Sequence, residues 1–274
     1  MKLVLAGLLS VIACIVFSTG EPEAQGIVVS GSYSGNLTPC GCVSPMMGGV
    51  LRKATLLKQM RSPTDLWVEV GPFLKDTSRQ SQLKLDAIAE FAQTTRADAV
   101  GLTAAEASLD PALLRAAQSI AGGRLVQTQL PDVVAPWRAA QGWLIGALSP
   151  DPRLGSAGTR PLPVEQAWTN LVTEAGDKPV LVLWDGSQDS ARSFAEKHPR
   201  CNVLVYPSPS PEVFKSGATI LVGTGERGKY LGRLDLATRR FRGTALGPEI
   251  KDDAAATAIY QRYLSRVNGE HLLS

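Results

Sequence analysis

Residues 27–61 contain a short apolar run, then a glycine-rich loop, and then an amphipathic segment. The apolar run begins at Ile27, and the amphipathic segment follows Gly48-Gly49 with its apolar residues at helical spacing. This order predicts a strand, a loop at its carboxyl end and a helix, which is the unit on which α/β proteins mount their chemistry. The loop carries Cys40 and Cys42 but no His, Asp or Glu. The sequence therefore indicates a fold more firmly than it indicates a reaction.

The chain begins with an apolar segment over residues 3–17, after a single Lys2. Such a segment is typical of an export signal, because it is shorter than the roughly 20 residues of a membrane-spanning helix. Within it, Val-Ile-Ala-Cys at residues 11–14 resembles a bacterial lipobox and makes Cys14 a candidate for lipidation. Ordinary signal cleavage nearer residue 20 or 25, or an uncleaved anchor, stays open. We predict a signal peptide or lipoprotein signal over residues 1–25.

The remaining chain, residues 26–274, is long enough for one large core, and we expect a single domain there. Export would place it in the periplasm or at the cell envelope, where disulfides are allowed. The formal net charge is +3, with basic and acidic residues interspersed along the sequence, so no basic segment predicts nucleic-acid binding. The expected partners are an envelope protein or, through a lipid anchor, the membrane.

Apolar runs and amphipathic segments alternate through most of the chain. The predicted strands are residues 27–29, 66–70, 99–102, 125–126, 143–145, 180–183, 203–205, 219–222, 231–236 and 240–246. The predicted helices begin at residues 50, 83, 111, 163, 187 and 252, and the third has Asp110 as its cap and Pro111 as its first residue. Proline-rich residues 207–211 are predicted to form a loop. The pattern indicates an α/β fold with antiparallel strands late in the chain.

Four stretches of this pattern resemble the metallophosphatase (calcineurin-like phosphoesterase) superfamily, in particular the branch that contains the bacterial 5′-nucleotidases. They are Asn-Leu-Thr-Pro-Cys with the later Gly-Gly-Val-Leu-Arg-Lys-Ala-Thr within residues 36–55, and residues 66–71, 97–100 and 228–236. The resemblance implies a four-layer sandwich, in which two mixed β-sheets are flanked by helices.

The same resemblance implies two metal ions held by Asp, His and Asn at the carboxyl ends of strands. The positions that match those ligands carry other residues: Ser32, Ser34, Pro72, Ala104, Ala105, Asp185 and residues 206–208. The whole chain has only two histidines, His198 and His271, and neither follows a predicted strand. We therefore expect no bound cofactor and a non-catalytic envelope protein, a pseudoenzyme with a binding or redox-accessory role.

An altered metal site is the alternative. Glu69, Glu106 and Asp185 are acids that could converge at the carboxyl edge of the sheet and hold one divalent ion. The protein would then be a metal-dependent phosphoric ester hydrolase, similar to a 5′-nucleotidase with a changed site. Against this, such acids can also be a relic or a solvated rim.

The Cys40-Gly41-Cys42 loop leaves several chemistries open. Two thiols one residue apart can form a strained, easily reduced disulfide, remain reduced, or simply brace the loop. Met46 and Met47 follow closely and would add soft sulfur ligands for copper(I). Methionine is also an ordinary core residue, so a structural role for the pair competes with a redox or metal role.

A second glycine-rich segment, residues 223–229, matches the spacing of a phosphate-binding loop. Tyr230 stands where such a loop needs Ser or Thr, and a strand follows where a helix should begin. A hairpin turn is therefore the preferred prediction for this segment.

Overall fold

The computed structural model describes residues 24–39 and 44–272, and within those ranges the chain forms twelve strands and seven helices. The strands make two six-stranded sheets. Most of the predicted signal, with Cys14, lies outside the described residues. Cys40 and Cys42 lie outside them as well.

The first sheet contains strands from both ends of the described chain. Its members are β1 (Gly26–Gly31), β2 (Leu66–Val70), β3 (Ala99–Gly101), β4 (Leu125–Val126), β11 (Tyr230–Asp235) and β12 (Phe241–Ala245). Their order is β12-β11-β1-β2-β3-β4. The first four strands in the sequence run parallel, and β11 and β12 continue the sheet in antiparallel pairing.

The second sheet is built in the same way from the middle of the chain. Its members are β5 (Trp137–Ala140), β6 (Trp143–Leu148), β7 (Val180–Trp184), β8 (Cys201–Tyr206), β9 (Pro211–Ser216) and β10 (Thr219–Thr224). Their order is β5-β6-β7-β8-β10-β9. Strands β6, β7, β8 and β10 are parallel, and antiparallel β5 and β9 close the two edges.

Helices cover the outer face of each sheet. The first sheet packs against α1 (Val50–Met60), α2 (Arg79–Thr94), α3 (Ala104–Ala107), α4 (Pro111–Ile120) and α7 (Ala254–Gly269). The second sheet packs against α5 (Val164–Ala175) and α6 (Gln188–Lys197). The predicted four-layer α/β sandwich is therefore confirmed. Among the described residues, no helix is long and apolar enough to cross a membrane.

Local sequence signals explain where several helices begin. The Asp110 side chain accepts a hydrogen bond from the backbone N–H of Ala112, and Pro111 is the first helical residue of α4, as predicted. Helix α1 starts directly after Gly48 and Gly49, whose φ angles of 97° and 96° favour glycine. The predicted glycine start of this helix is confirmed.

The prediction of a hairpin turn at residues 223–229 is wrong. Strand β10 lies in the second sheet and β11 in the first, so the segment between them crosses from one sheet to the other. The sequence analysis also missed α3, β5 and β9. Strand β9 begins at Pro211, inside the segment predicted to be a loop, and proline is tolerated there because it is the first residue of an edge strand.

The two sheets pack face to face through apolar side chains, and they approach closely at Gly101 of β3, which has no side chain. A Cβ atom added at Gly101 of β3 would lie 2.7 Å from the Cβ of Leu183 and 3.3 Å from that of Ala147, both in the second sheet. Residues of both sheets form one buried cluster around this point. Gly101 therefore sets the distance between the sheets.

Replacing Gly101 with alanine is expected to destabilise the fold by about 1–3 kcal/mol, because the added methyl group overpacks the interface between the sheets. Chemical denaturation of the purified chain measures the change. The matched control is Gly269→Ala, where an added Cβ meets nothing within 4 Å, and its free energy of unfolding should be unchanged or slightly higher. Equal effects of the two substitutions would contradict the packing argument.

A buried ion pair joins α1 to β2. The Lys53 ammonium donates to Glu69 Oε1, and both side chains are fully buried. Tyr33 donates its hydroxyl to the same oxygen. The Lys53 ammonium also lies 4.1, 5.5 and 4.7 Å from the ring centroids of Tyr33, Trp67 and Phe91, which are distances of cation–π contact.

Burial acts on both members of this pair in the direction of the neutral form. It lowers the pKa of Lys53 to about 8, although the Glu69 carboxylate opposes that shift. It raises the pKa of Glu69, with Lys53 opposing. Glu69 Oε2 has no hydrogen-bond partner among the described residues. Each charge is thus maintained mainly by the other.

Lys53→Met is expected to destabilise the protein by about 3–5 kcal/mol near neutral pH, because it leaves the Glu69 carboxylate buried without its cation. The folded state would then hold Glu69 protonated, whereas the unfolded chain ionises above pH 4.5. The folded state binds more protons, so the stability of the variant should fall as pH rises above that value. Urea unfolding at a series of pH values from about 4 to about 8 measures the free energy of unfolding on both sides of the ordinary glutamate pKa.

The control for this experiment is the double variant Lys53→Met/Glu69→Gln, which removes both charges and keeps an acceptor for the Tyr33 hydroxyl. Its loss of stability should be smaller and nearly independent of pH over the same range. A single variant that is as stable as the double variant at every pH would show that the ion pair is not needed.

Candidate functional site at the carboxyl edge

The carboxyl ends of the parallel strands in both sheets meet at one edge of the molecule. The backbone N–H of Ala104, after β3, donates to Asp185 Oδ2, after β7, at 2.7 Å. The hydroxyl groups of Ser32, after β1, and Thr224, at the end of β10, lie 3.4 Å apart. Loops from the two sheets therefore form one surface, which we call the carboxyl edge.

The loop after β1 follows a strained path along the loop after β2. Ser32 and Ser34 have φ angles of 53° and 47°, a region that residues other than glycine rarely adopt. Their backbone N–H groups donate to the carbonyl oxygens of Val70 and Pro72, both at 2.9 Å. Two positions that match metal ligands of the metallophosphatases thus carry short hydroxyl side chains on a tightly bonded loop.

A polar cleft of about 450 Å³ opens between the loops that follow β2, β3 and β6. Ala104 and Ala105 contribute two methyl groups to its wall, where the resemblance expects an Asn-His pair. Lys75 and Arg153 bring basic groups to the same cleft. The lining therefore has charge but no imidazole.

Asp185 is held by protein donors on its inner side. Its Oδ2 accepts hydrogen bonds from the Ala104 backbone N–H and the Ser149 hydroxyl, each at 2.7 Å. Burial raises the pKa of this carboxyl group, while the two hydrogen bonds favour its ionised form. Asp185 thereby ties the second sheet to the start of α3 in the first helical layer.

Glu106 is saturated by four hydrogen bonds. One oxygen accepts from the backbone N–H groups of Phe73 and Leu74 at 2.7 and 2.9 Å. The other accepts from the backbone N–H and the hydroxyl of Thr103 at 3.0 and 2.7 Å, which completes the capping box of α3. Burial raises the pKa of the Glu106 carboxyl, and these donors oppose the rise. The side chain fixes the loop after β2 to the loop after β3.

The structure does not bring the three predicted acids together as a metal site. Glu69 points into the helical layer and bonds Lys53, whereas Glu106 and Asp185 bond backbone and hydroxyl groups at the edge. Over residues 24–39 and 44–272, no three or more His, Cys, Asp or Glu side chains are placed to hold a metal ion. The described residues thus do not fit the two-metal centre that the fold family implies.

The segment that follows the cysteine loop is fixed at this edge. Gly48 donates its N–H to the Leu246 carbonyl at 2.9 Å, and the Arg52 guanidinium donates to the Met46 carbonyl at 2.8 Å. Met46 is 53% exposed, and Met47 is partly buried. Whether their sulfur atoms act with Cys40 and Cys42 stays a prediction, because the two cysteines lie outside the described residues.

Cys201 and His198 lie away from this edge. Cys201 is the first residue of β8, at the amino end of the strand, and burial raises the pKa of its thiol. His198 lies just before it, at the end of α6. His271 follows α7, which ends beside the start of α2, where Glu270 pairs with Arg79. Cys201 and His198 are too far from the carboxyl edge to take part in chemistry there.

Sequence reasoning missed the roles of Lys53 and Tyr33, although the signal was present. Lys53 falls on the inward face of α1 with Val50 and Leu57, and a basic residue on a buried face needs a partner. Glu69 is the one charged residue in the otherwise apolar β2. Two charges on the buried faces of adjacent elements predict an ion pair.

Solved structures similar to this chain are 5′-nucleotidases and a related hydrolase. The 5′-nucleotidase precursor of Thermus thermophilus superposes with a TM-score of 0.70 at 19% sequence identity, over 89% of this chain and 59% of that one. The sulfate thiohydrolase SoxB of the same organism gives 0.69 at 13% identity, over 90% and 62%. The 5′-nucleotidase of Candida albicans SC5314 gives 0.69 at 10%, over 90% and 58%.

This chain spans about three fifths of the length of each of these proteins. No family model matches the sequence, and no curated protein matches it. The likeness is one of structure, at identities that establish the fold alone. The fold of the chain is therefore that of the metallophosphatase superfamily, as the sequence resemblance predicted.

Proposed function

We propose that this chain is an exported, non-catalytic protein of the cell envelope, whose carboxyl edge serves as a binding or redox-accessory surface. One observation carries the proposal: at the edge where the superfamily binds metals, this chain has used its acids as structural acceptors. Asp185 and Glu106 bond backbone N–H groups, and Ala104 and Ala105 replace potential ligands by methyl groups.

A metal-bound water that attacks phosphorus needs several anionic or imidazole ligands around an open position. If Glu106 turned to act as such a ligand, the N–H groups of Phe73, Leu74 and Thr103 would lose their acceptor. Each buried unsatisfied group costs about 1–3 kcal/mol. Glu69 would have to leave Lys53, at a similar or greater cost. The hydrolase with an altered site therefore lacks support from the described residues.

The cysteine loop supplies the chemistry for the redox-accessory role. Cys40 and Cys42 stand between Pro39 and Ser44 in the sequence, and the chain on either side of them is joined by a hydrogen bond from the Val50 N–H to the Leu37 carbonyl at 2.9 Å. Gly48 also lies beside Gly228: a Cβ atom added at Gly48 would be 3.2 Å from the Gly228 carbonyl oxygen. A change in the bonding of the two thiols would therefore act directly on the start of α1 and on the crossing between the sheets.

The purified full chain is expected to bind no stoichiometric Mn, Fe or Zn, and to hydrolyse neither nucleotides nor phosphodiesters above background. Elemental analysis after loading, with turnover assays under the same conditions, measures both. Asp185→Asn and the matched edge variant Asp151→Asn should then behave like the parent chain. Stoichiometric metal together with turnover that Asp185→Asn abolishes and Asp151→Asn preserves would establish the hydrolase instead.

Under oxidising buffers, Cys40 and Cys42 are expected to form a disulfide that mild reductants reopen, whereas Cys201 should stay unmodified until the protein unfolds. Burial and the raised pKa of the Cys201 thiol explain the difference. Peptide-resolved mass spectrometry after thiol labelling measures all three sites. Cys42→Ser is the control, because it removes the intraloop bond and should leave Cys40 reactive.

The same samples test the binding of copper(I). Copper(I) bound by the loop would protect both thiols from labelling, and this protection should depend on Met46. A pair that stays reduced under oxidising conditions and binds no copper(I) would remove the redox role. The metal and turnover measurements do not depend on this result.

A further inference from the structure

The edge opposite to the carboxyl edge carries an excess of unpaired basic side chains. We call it the amino edge, because its loops lead into the amino ends of the parallel strands. Among the described residues of these loops, five exposed side chains are basic and only Asp177 is an exposed acid. The five are Arg96, Lys178, Arg200, Arg239 and Arg240. The other acids at this edge, Asp65, Asp98 and Asp235, lie within ion-pair distance of the Arg233 or the Arg61 guanidinium.

These cations are available to an external partner. Arg96, Lys178, Arg239 and Arg240 make no side-chain hydrogen bond or ion pair with any described residue. At the carboxyl edge the balance is reversed, since acids outnumber cations in the described loops there. A net charge of only +3 is thus unevenly distributed over the molecule.

The described chain begins at this same basic edge. Ala24 donates its N–H to the Gln141 carbonyl at 3.2 Å, and Leu236 donates to the Gln25 carbonyl at 3.1 Å. Ala24 and Leu236 line an open groove of about 670 Å³ together with Lys178. The apolar segment at residues 3–17 is therefore joined to the fold beside the unpaired cations.

We propose that the amino edge is a docking surface for an anionic phospholipid bilayer. An anionic membrane attracts nearby Lys and Arg side chains, each worth about fivefold in partition. Cys14 is ten residues before Ala24, a stretch that spans at most about 35 Å when extended, so a membrane-bound segment there keeps the amino edge close to the bilayer. The carboxyl edge then faces away from the membrane. This inference does not depend on the role of the carboxyl edge.

Partition of the full chain into vesicles tests the surface separately from the apolar segment. The chain is mixed with vesicles of phosphatidylcholine alone and with vesicles that also contain phosphatidylglycerol, at physiological ionic strength. The apolar segment contributes to both, so the ratio of the two partition coefficients reports the effect of lipid charge. We expect the parent chain to prefer the anionic vesicles by at least about tenfold.

Lys178→Glu/Arg239→Glu is expected to abolish that preference. The matched control is Arg160→Glu/Lys251→Glu, which changes the net charge by the same amount on exposed, unpaired side chains outside the loops of the amino edge, and should retain most of the preference. Unchanged thermal midpoints verify that both variants fold. As a second readout without charge changes, a fluorophore introduced genetically at Ala237 should be quenched by headgroup-labelled lipid, and one at Ala157 should not.

Three results would overturn the proposal. One is the absence of any preference of the parent chain for anionic vesicles. Another is an equal loss in both double variants, which would assign the effect to net charge and not to this edge. The third is salt-sensitive binding to polyglutamate without a preference for phosphatidylglycerol, which would assign the edge to an acidic polypeptide.

Discussion

The ion pair between Lys53 and Glu69 is the constraint on which the first helical layer depends. An isolated charge in that layer would be strongly unfavourable, so α1 and β2 have to meet where the ammonium reaches the carboxylate. Tyr33 brings the loop after β1 to the same carboxylate, and Trp67 and Phe91 surround the cation. One buried interaction thereby fixes a loop, a strand and two helices relative to one another. Because α1 follows the cysteine loop directly, the same interaction sets where that loop ends.

At the carboxyl edge, the described residues form the fold without placing three or more His, Cys, Asp or Glu side chains around a metal position. In an active centre, acids at strand ends remain underbonded so that a cation can complete their coordination. Here Glu106 accepts four hydrogen bonds, and Asp185 connects the two sheets. These contacts stabilise the loops that a metal pair would otherwise organise. The hydrogen bonds thereby tie these loops to one another, and the cleft between them offers basic, acidic and hydroxyl groups to a ligand.

Parallel strands also separate the loops of the molecule into two groups. Every crossover returns the chain to the amino edge, so the residues before each strand collect on one side and those after it on the other. Cations that are far apart in the sequence, such as Arg96 and Arg239, thereby come to share a surface. The chain enters the fold at that surface as well, through Ala24. The topology thus gives the protein two chemically distinct ends.

The sequence by itself determined most of the elements and their order, because helix caps, apolar runs and the Gly48-Gly49 start act over a few residues. It also predicted the family fold, since the resemblance is carried by short motifs. Only the tertiary structure decided which strands pair and which side chains bond each other. The sequence predicts a hairpin at residues 223–229, but the segment crosses between the sheets, because β10 and β11 belong to different ones. The bonding of Glu106 and the Lys53–Glu69 pair depend on residues distant in sequence. The charge of the amino edge is likewise invisible in one dimension, because it arises when the fold gathers loops from the whole chain.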